Sequence, residues 1–158
     1  MTTPTSRSIV VTGAAGALGH AVVHHFLGEG ARLALIDRDD ALLRAAFPVL
    51  EPPAHVLVAA DVASEAAMAA AAVRIEQALG RVDVLVHVAG GFAMGEPVHA
   101  LSRAAWDRMM DLNAWSFVAV TRAFVPQMLG DGAGKVIAVS ARAATRGAAQ
   151  MAAYCASK

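Results

Sequence analysis

Apolar positions along the chain fall into short runs separated by stretches of helical period, and this alternation predicts strands and helices in turn. Residues 7–12 form a short β-branched run. Leu18, Val22 and Phe26 then recur on one helical face until Gly28 and Gly30 end the pattern. Residues 32–37 read as a second strand, 39–47 as a short helix broken by Pro48, and 55–60 as a third strand after a loop marked by Pro52 and Pro53. Ser64 is placed to cap a helix with Met68, Ala72, Ile75 and Leu79 on its inner face and Gly80 as its stop. A fourth strand over 82–88, a long helix from Ser102 to about Met128 with Pro126 near its end, and a fifth strand over 135–140 follow. A last helix starts near Gln150.

Five near-continuous apolar strands alternating with helices specify a parallel sheet covered on both faces, the doubly wound α/β class. At 158 residues the chain has room for one such domain, and no linker, charge block or low-complexity tail divides it. The alanine-rich stretch 66–72 keeps a helical period and reads as a packed amphipathic helix.

Composition narrows the functional classes. With 57% hydrophobic and 16% charged residues the chain has the apolar material to fold. Thirteen Lys and Arg balance thirteen Asp and Glu, leaving neither a basic field for nucleic acid nor a polybasic patch for an anionic membrane. The mean hydropathy of +0.52 owes much to alanine, and the longest strictly apolar stretch, 66–73, falls far short of the roughly 20 residues of a membrane span. Residues 1–7 lack the basic start and apolar stretch of a signal peptide, and the lone Cys155 forms no internal disulfide; both point to a reducing, cytoplasmic location.

Candidate chemistry sits at strand ends. Thr12-Gly13-Ala14-Ala15-Gly16-Ala17-Leu18-Gly19 joins the first strand to the first helix. Glycines there permit a tight turn and close backbone approach to a pyrophosphate, while the helix N-terminus offers free N–H groups. Asp37 closes the second strand, near the roughly 20-residue spacing at which a carboxylate accepts from ribose hydroxyls and repels a 2′-phosphate. NAD is thereby favoured over NADP, with Arg38 next door partly offsetting the repulsion. Tyr154 and Lys158 lie one helical turn apart, so an ammonium can stabilise a phenolate and lower the phenol pKa toward the range of a general acid/base. Ser140 closes the fifth strand, where its hydroxyl can donate to a substrate carbonyl; an ordinary turn serine would look the same. Asn113 sits inside the long helical pattern, a cost unless its side chain is used.

Together these residues resemble the short-chain dehydrogenase/reductase family over essentially the whole chain, implying a Rossmann-like NAD(P)-binding domain. In the resemblance, residues 12–19 are the TGxxxGxG cofactor loop, Asp61 and Val62 contact the adenine, and Ala89 and Gly90 pass close to the cofactor. Asn113, Ser140, Tyr154 and Lys158 match the catalytic tetrad. It implies that Tyr154 transfers the proton, Ser140 holds the carbonyl oxygen, Lys158 lowers the Tyr154 pKa and binds the nicotinamide ribose, and Asn113 supports a water relay. Members preferring NADP often carry a basic residue at the position of Ala15, which again favours NAD. The implied activity is hydride transfer between NAD(H) and a small-molecule alcohol or carbonyl. The implied assembly is a homo-oligomer, dimer or tetramer, using the long helix and the last one.

Two departures shape the expectations. The family's NNAG segment reads His87-Val88-Ala89-Gly90, which changes the hydrogen bonding at the sheet end. The sheet shows five strands where about six are usual, and the sequence stops at Lys158, so it is expected to be the N-terminal part of a longer enzyme, inactive alone and with an open edge at the fifth strand. The competing reading is a non-catalytic remnant that binds a dinucleotide or a partner chain; a dehydratase or epimerase is a third. No metal is expected, since His20, His24, His25, His55, His87 and His99 form no ligand set, and Cys155 is expected to be unreactive. Residues 91–94 and 141–143 are expected to line the substrate side, and Trp106, Met109, Met110 and Trp115 to pack.

Overall fold

A computed structural model describes residues 6–158, so most of the N-terminal stretch read for a signal peptide lies outside the described residues. Five parallel strands, β1 (Ser8–Thr12), β2 (Arg32–Asp37), β3 (His55–Ala59), β4 (Val84–His87) and β5 (Lys135–Ala138), form one sheet in the order β3-β2-β1-β4-β5. The chain builds outward from β1 through β2 to β3, then crosses back to lay β4 on the other side of β1. That reversal puts a topological switch point at the carboxyl ends of β1 and β4.

Alternation within the strands sends side chains to both faces, and helices bury each face. Ile9, Val11, Leu33, Leu35, Leu57, Val84 and Val86 pack beneath α1 (Ala17–Gly28) and α2 (Asp40–Ala46) through Val23 and Leu43. Val10, Ala34, Ile36, Val56, Val58 and Leu85 face α3 (Glu65–Leu79) and α5 (Ser116–Gly130), meeting Met68, Ile75, Val120 and Phe124. The caps follow the sequence: Asp39 accepts from Ala41 and Leu42 N–H, Ser64 accepts from Ala67 N–H, and Gly80 ends α3 at φ +74°. The Arg32 guanidinium covers the open end of α3, donating to the Ala78 and Leu79 carbonyls at 3.0 and 2.9 Å.

Four details differ from the periodic reading. On α3 the buried stripe runs Met68, Ala71, Ile75 and Leu79, with Ala72 only half-buried, because the helix turns slightly more of its Ala71 side to the sheet. On α1, Gly19 and Val23 are buried while Leu18 is 51% exposed, since it faces the cleft at the carboxyl end of β1. The long helix is two: α4 (Arg103–Met109) and α5, joined by a π turn over Met110–Trp115 in which the Ser116 N–H donates to the Asp111 carbonyl. The last helix, α6 (Ala152–Ser157), starts two residues beyond Gln150. Met109 is buried, Trp106 and Met110 are half-buried, and Trp115 is exposed.

β5 lies at the sheet edge and is exposed along its whole length, Val136 and Ile137 included. Among the described residues no helix is long and apolar enough to cross a membrane.

Candidate active site

A cleft of about 640 Å³ opens at the switch point, lined by Gly13, Gly16, Leu18, Gly19, Asp37, Asp61, Val62, Ala89 and Gly90. These are the residues the sequence singles out for a cofactor, excepting Thr12, Tyr154 and Lys158. Leu18, surplus to the core, supplies an apolar patch at the mouth.

The loop is tight for a local reason. Gly13 has φ +65°, and a Cβ there would sit 2.8 Å from the Ala89 backbone, so only glycine lets the loop lie against the end of β4. Thr12 is fully buried beneath it, and its Oγ1 accepts from the Ala89 N–H at 3.3 Å, joining loop to strand. Asp37 accepts from the Ala15 N–H through Oδ2 (3.0 Å) and from the Arg38 N–H through Oδ1 (2.8 Å). Each carboxylate oxygen thus keeps acceptor capacity for a ribose hydroxyl. Asp61 Oδ1 accepts from the Ala63 N–H (2.9 Å), turning the chain into α3 and leaving Val62 buried at the cleft wall.

Past Gly90 the site changes character. A Cβ on Gly90 would meet Lys158 Nζ at 2.7 Å and Asn113 Oδ1 at 2.8 Å, so an ammonium and an amide oxygen converge beneath bare backbone. Asn113 is buried in the π turn, where the widened turn aims its amide inward. Its Oδ1 accepts from the Gly91 N–H (2.8 Å), and its Nδ2 donates to the Gly91 carbonyl (3.1 Å) and to Ser157 Oγ (2.9 Å). Lys158 Nζ donates to the Val139 carbonyl at 3.3 Å, and partial burial pushes its pKa below the usual lysine value. Tyr154 stands one turn earlier on α6, its ring edge-to-face with Phe92 at 4.9 Å.

Ser140 is adjacent, its hydroxyl 2.7 Å from the main-chain oxygen of Lys158, the last residue of the chain. Of the expected substrate-side residues, Ala93 and Met94 line a smaller cavity of about 90 Å³ with Met109, Met151 and Ala153.

Three further participants have no role assigned to them by sequence reasoning. Ser157 looks like an ordinary helix serine, yet it bridges Asn113 to the Tyr154 carbonyl. Ser116 carried no signal at all. His87, in the sequence a departure at the sheet end and one of six histidines that form no ligand set, is 3% exposed, its Nδ1 lies 2.9 Å from Thr12 Oγ1 and its Nε2 lies 3.2 Å from Ser116 Oγ. Burial first, and the Lys158 charge second, push its pKa down to about 4. The signal that could have found it is a lone polar residue closing an otherwise apolar strand.

The glycine cradle, the carboxylate with spare acceptor capacity and the half-buried ammonium fit a dinucleotide laid across the switch point. Among the described residues no group of three or more His, Cys, Asp or Glu is disposed to hold a metal ion.

Comparison with known proteins agrees with this geometry. The family model described as short chain dehydrogenase matches residues 7–158. D-threitol dehydrogenase of Mycolicibacterium smegmatis is 35% identical over 151 residues, covering 94% of this chain and 58% of that protein. The 2-dehydro-3-deoxy-L-rhamnonate dehydrogenase (NAD(+)) of a Sphingomonas species is 36% identical over 152 residues, covering 96% of this chain and 60% of that protein. Among solved structures, an NAD+-bound xylitol dehydrogenase superposes with a TM-score of 0.90 at 27% identity, covering 96% of this chain and 59% of that one. The chain therefore spans 58–60% of the length of these relatives.

Proposed function

Because the chain belongs to the short-chain dehydrogenase family, we propose that it carries the cofactor and proton-transfer residues of an NAD-dependent oxidoreductase that interconverts an alcohol and a carbonyl. The observation that carries the reading is the continuous path from the Gly13–Gly19 loop and Asp37 to the point beneath Gly90 where Lys158 and Asn113 converge.

In this reading the Gly13, Gly16 and Gly19 backbone takes the pyrophosphate at the α1 N-terminus, and Asp37 takes the adenosine ribose hydroxyls. Asp61 and Val62 flank the adenine, and Ala89 and Gly90 back the nicotinamide half. The bound nicotinamide supplies or accepts the hydride. Tyr154 holds the proton that passes to or from the alcohol oxygen. Lys158 stands one helical turn from Tyr154, where its ammonium can hold the nicotinamide ribose, and partial burial lowers its own pKa. Ser140 donates to the same oxygen and orients it. Asn113 holds the Gly91 backbone and Ser157 in place and supports proton exchange with solvent.

NAD is preferred because Asp37 would face a 2′-phosphate with like charge. The D-threitol and xylitol in the names of relatives make small polyols the first substrates to screen. Assembly as a homo-oligomer in a cytoplasmic setting completes the reading; exposed Trp115 and Val118 offer apolar contact area on the π turn and α5.

Tyr154→Phe in the complete enzyme tests it. Turnover should fall by at least about 100-fold, the worth of a positioned acid/base, while NADH still binds nearly as in the unaltered protein. Undiminished turnover in the variant refutes the assignment.

A further inference from the structure

His87 lies between the cofactor loop and the π turn, and for a neutral ring its hydrogen bonds have only one consistent direction. Ser116 Oγ lies 2.7 Å from the Leu112 carbonyl, which can only accept, so the single hydroxyl proton of Ser116 is spent there. Ser116 Oγ must then accept from His87 Nε2–H at 3.2 Å. A neutral imidazole protonated at Nε2 leaves Nδ1 as an acceptor, so Thr12 donates its hydroxyl proton to Nδ1 at 2.9 Å, while Thr12 Oγ1 accepts from the Ala89 N–H. Ala89 N–H to Thr12, Thr12 to His87, His87 to Ser116 and Ser116 to Leu112 form one unbranched chain, buried throughout its middle.

The two ends of that chain are functionally distinct. One is the backbone that closes against Gly13 at the cleft wall, and the other is the residue before Asn113, whose side chain lies against Gly91. We propose that His87, held as its neutral Nε2–H tautomer, is a positioning residue that locks the cofactor loop to the π turn, so that the dinucleotide cleft and the Asn113 amide keep a fixed relation. It touches neither end directly; it acts through Thr12 and Ser116. The effect on binding rests on the cofactor reading above, whereas the hydrogen-bond chain and its effect on Asn113 stand without it.

Two measurements test this. The first uses NMR of the ¹⁵N-labelled chain. The imidazole shifts of His87 should report the Nε2–H tautomer at pH 7, and Thr12→Val, which removes the donor at the cofactor-loop end, should move the side-chain amide signals of Asn113. An Nδ1–H tautomer, or Asn113 signals unmoved in Thr12→Val, overturns the proposal whether or not the cleft binds NADH. The second compares Ser116→Ala with Thr121→Ala by NADH fluorescence titration. Both lose a hydroxyl that bonds a carbonyl one turn back on the helix, but only Ser116 meets His87. Ser116→Ala should weaken NADH binding by about fivefold or more, although Ser116 does not line the cleft, and Thr121→Ala should leave it unchanged. Equal affinities for the two variants overturn the coupling. An unaltered chain that fails to bind NADH counts against the cofactor reading, and the NMR result then decides the role of His87.

Discussion

The depressed pKa of His87 makes stability depend on pH in a defined window. In the unfolded chain the imidazole titrates near 6.5, and in the folded protein burial and Lys158 hold it down to about 4. Protonation therefore favours unfolding: the stability is fully present above pH 6.5 and is lost as pH falls from there toward 4. The full difference corresponds to about 3 kcal/mol, of which about 2 kcal/mol has gone by pH 5. The charged ring would also present a second N–H to Thr12, which already donates to that nitrogen. The assay is urea unfolding at pH 5, 6, 7 and 8, followed by circular dichroism, for the unaltered protein and for His87→Asn. The variant removes this titration and keeps all others, including His55, whose pKa is also lowered by burial and by Arg32. Between pH 7 and pH 5 the unaltered protein should lose about 2 kcal/mol more than the variant. Parallel pH dependences would show that His87 is not held neutral by the fold, and the reasoning would fall.

Three further outcomes follow from the same contacts. Asp37→Ala removes the charge facing a 2′-phosphate and leaves Arg38 beside the site, so the NADPH to NADH affinity ratio should rise by about tenfold or more; an unchanged ratio by fluorescence titration counts against the ribose assignment. Gly13→Ala places a side chain at φ +65° and 2.8 Å from the Ala89 backbone, so it should lower the thermal midpoint, cost at least about 1–2 kcal/mol and abolish NADH binding; a variant as stable and as tight-binding as the original refutes the close-approach argument. Phe124, 2% exposed between α3, α5 and the sheet, should cost about 3–5 kcal/mol when cut to alanine, and a loss below about 1 kcal/mol by urea unfolding would show that this face is not tightly packed.

Much of the molecule was legible locally. The five strands fall within a residue or two of the apolar runs, and Ser64, Gly80 and Asp37 stand where their chemistry suggests. Where the periodic reading slipped, the cause was three-dimensional. The π turn hides in a sequence that scans as one helix, because one extra residue in a turn shifts the period by too little to see in a stretch apolar on several sides. Ala71 replaces Ala72 in the buried stripe of α3 because the sheet, not the helix, sets which small residue faces inward. Leu18 fits a helical stripe but lines the cleft, since α1 begins at the carboxyl end of β1 where the cleft opens.

The sequence by itself determined what depends on short spacings: alternating elements, a glycine turn between a strand and a helix, an acid at the next strand end, and a tyrosine one turn before a lysine. Backbone geometry over a few residues decides these features, and the composition of those residues declares it. Only the tertiary structure decided that Asn113 and Lys158 meet beneath Gly90, and that His87 bridges residues 75 and 29 positions away in the chain. Those outcomes depend on which distant groups close packing brings within hydrogen-bonding distance, and on which protons and acceptors remain once water is excluded.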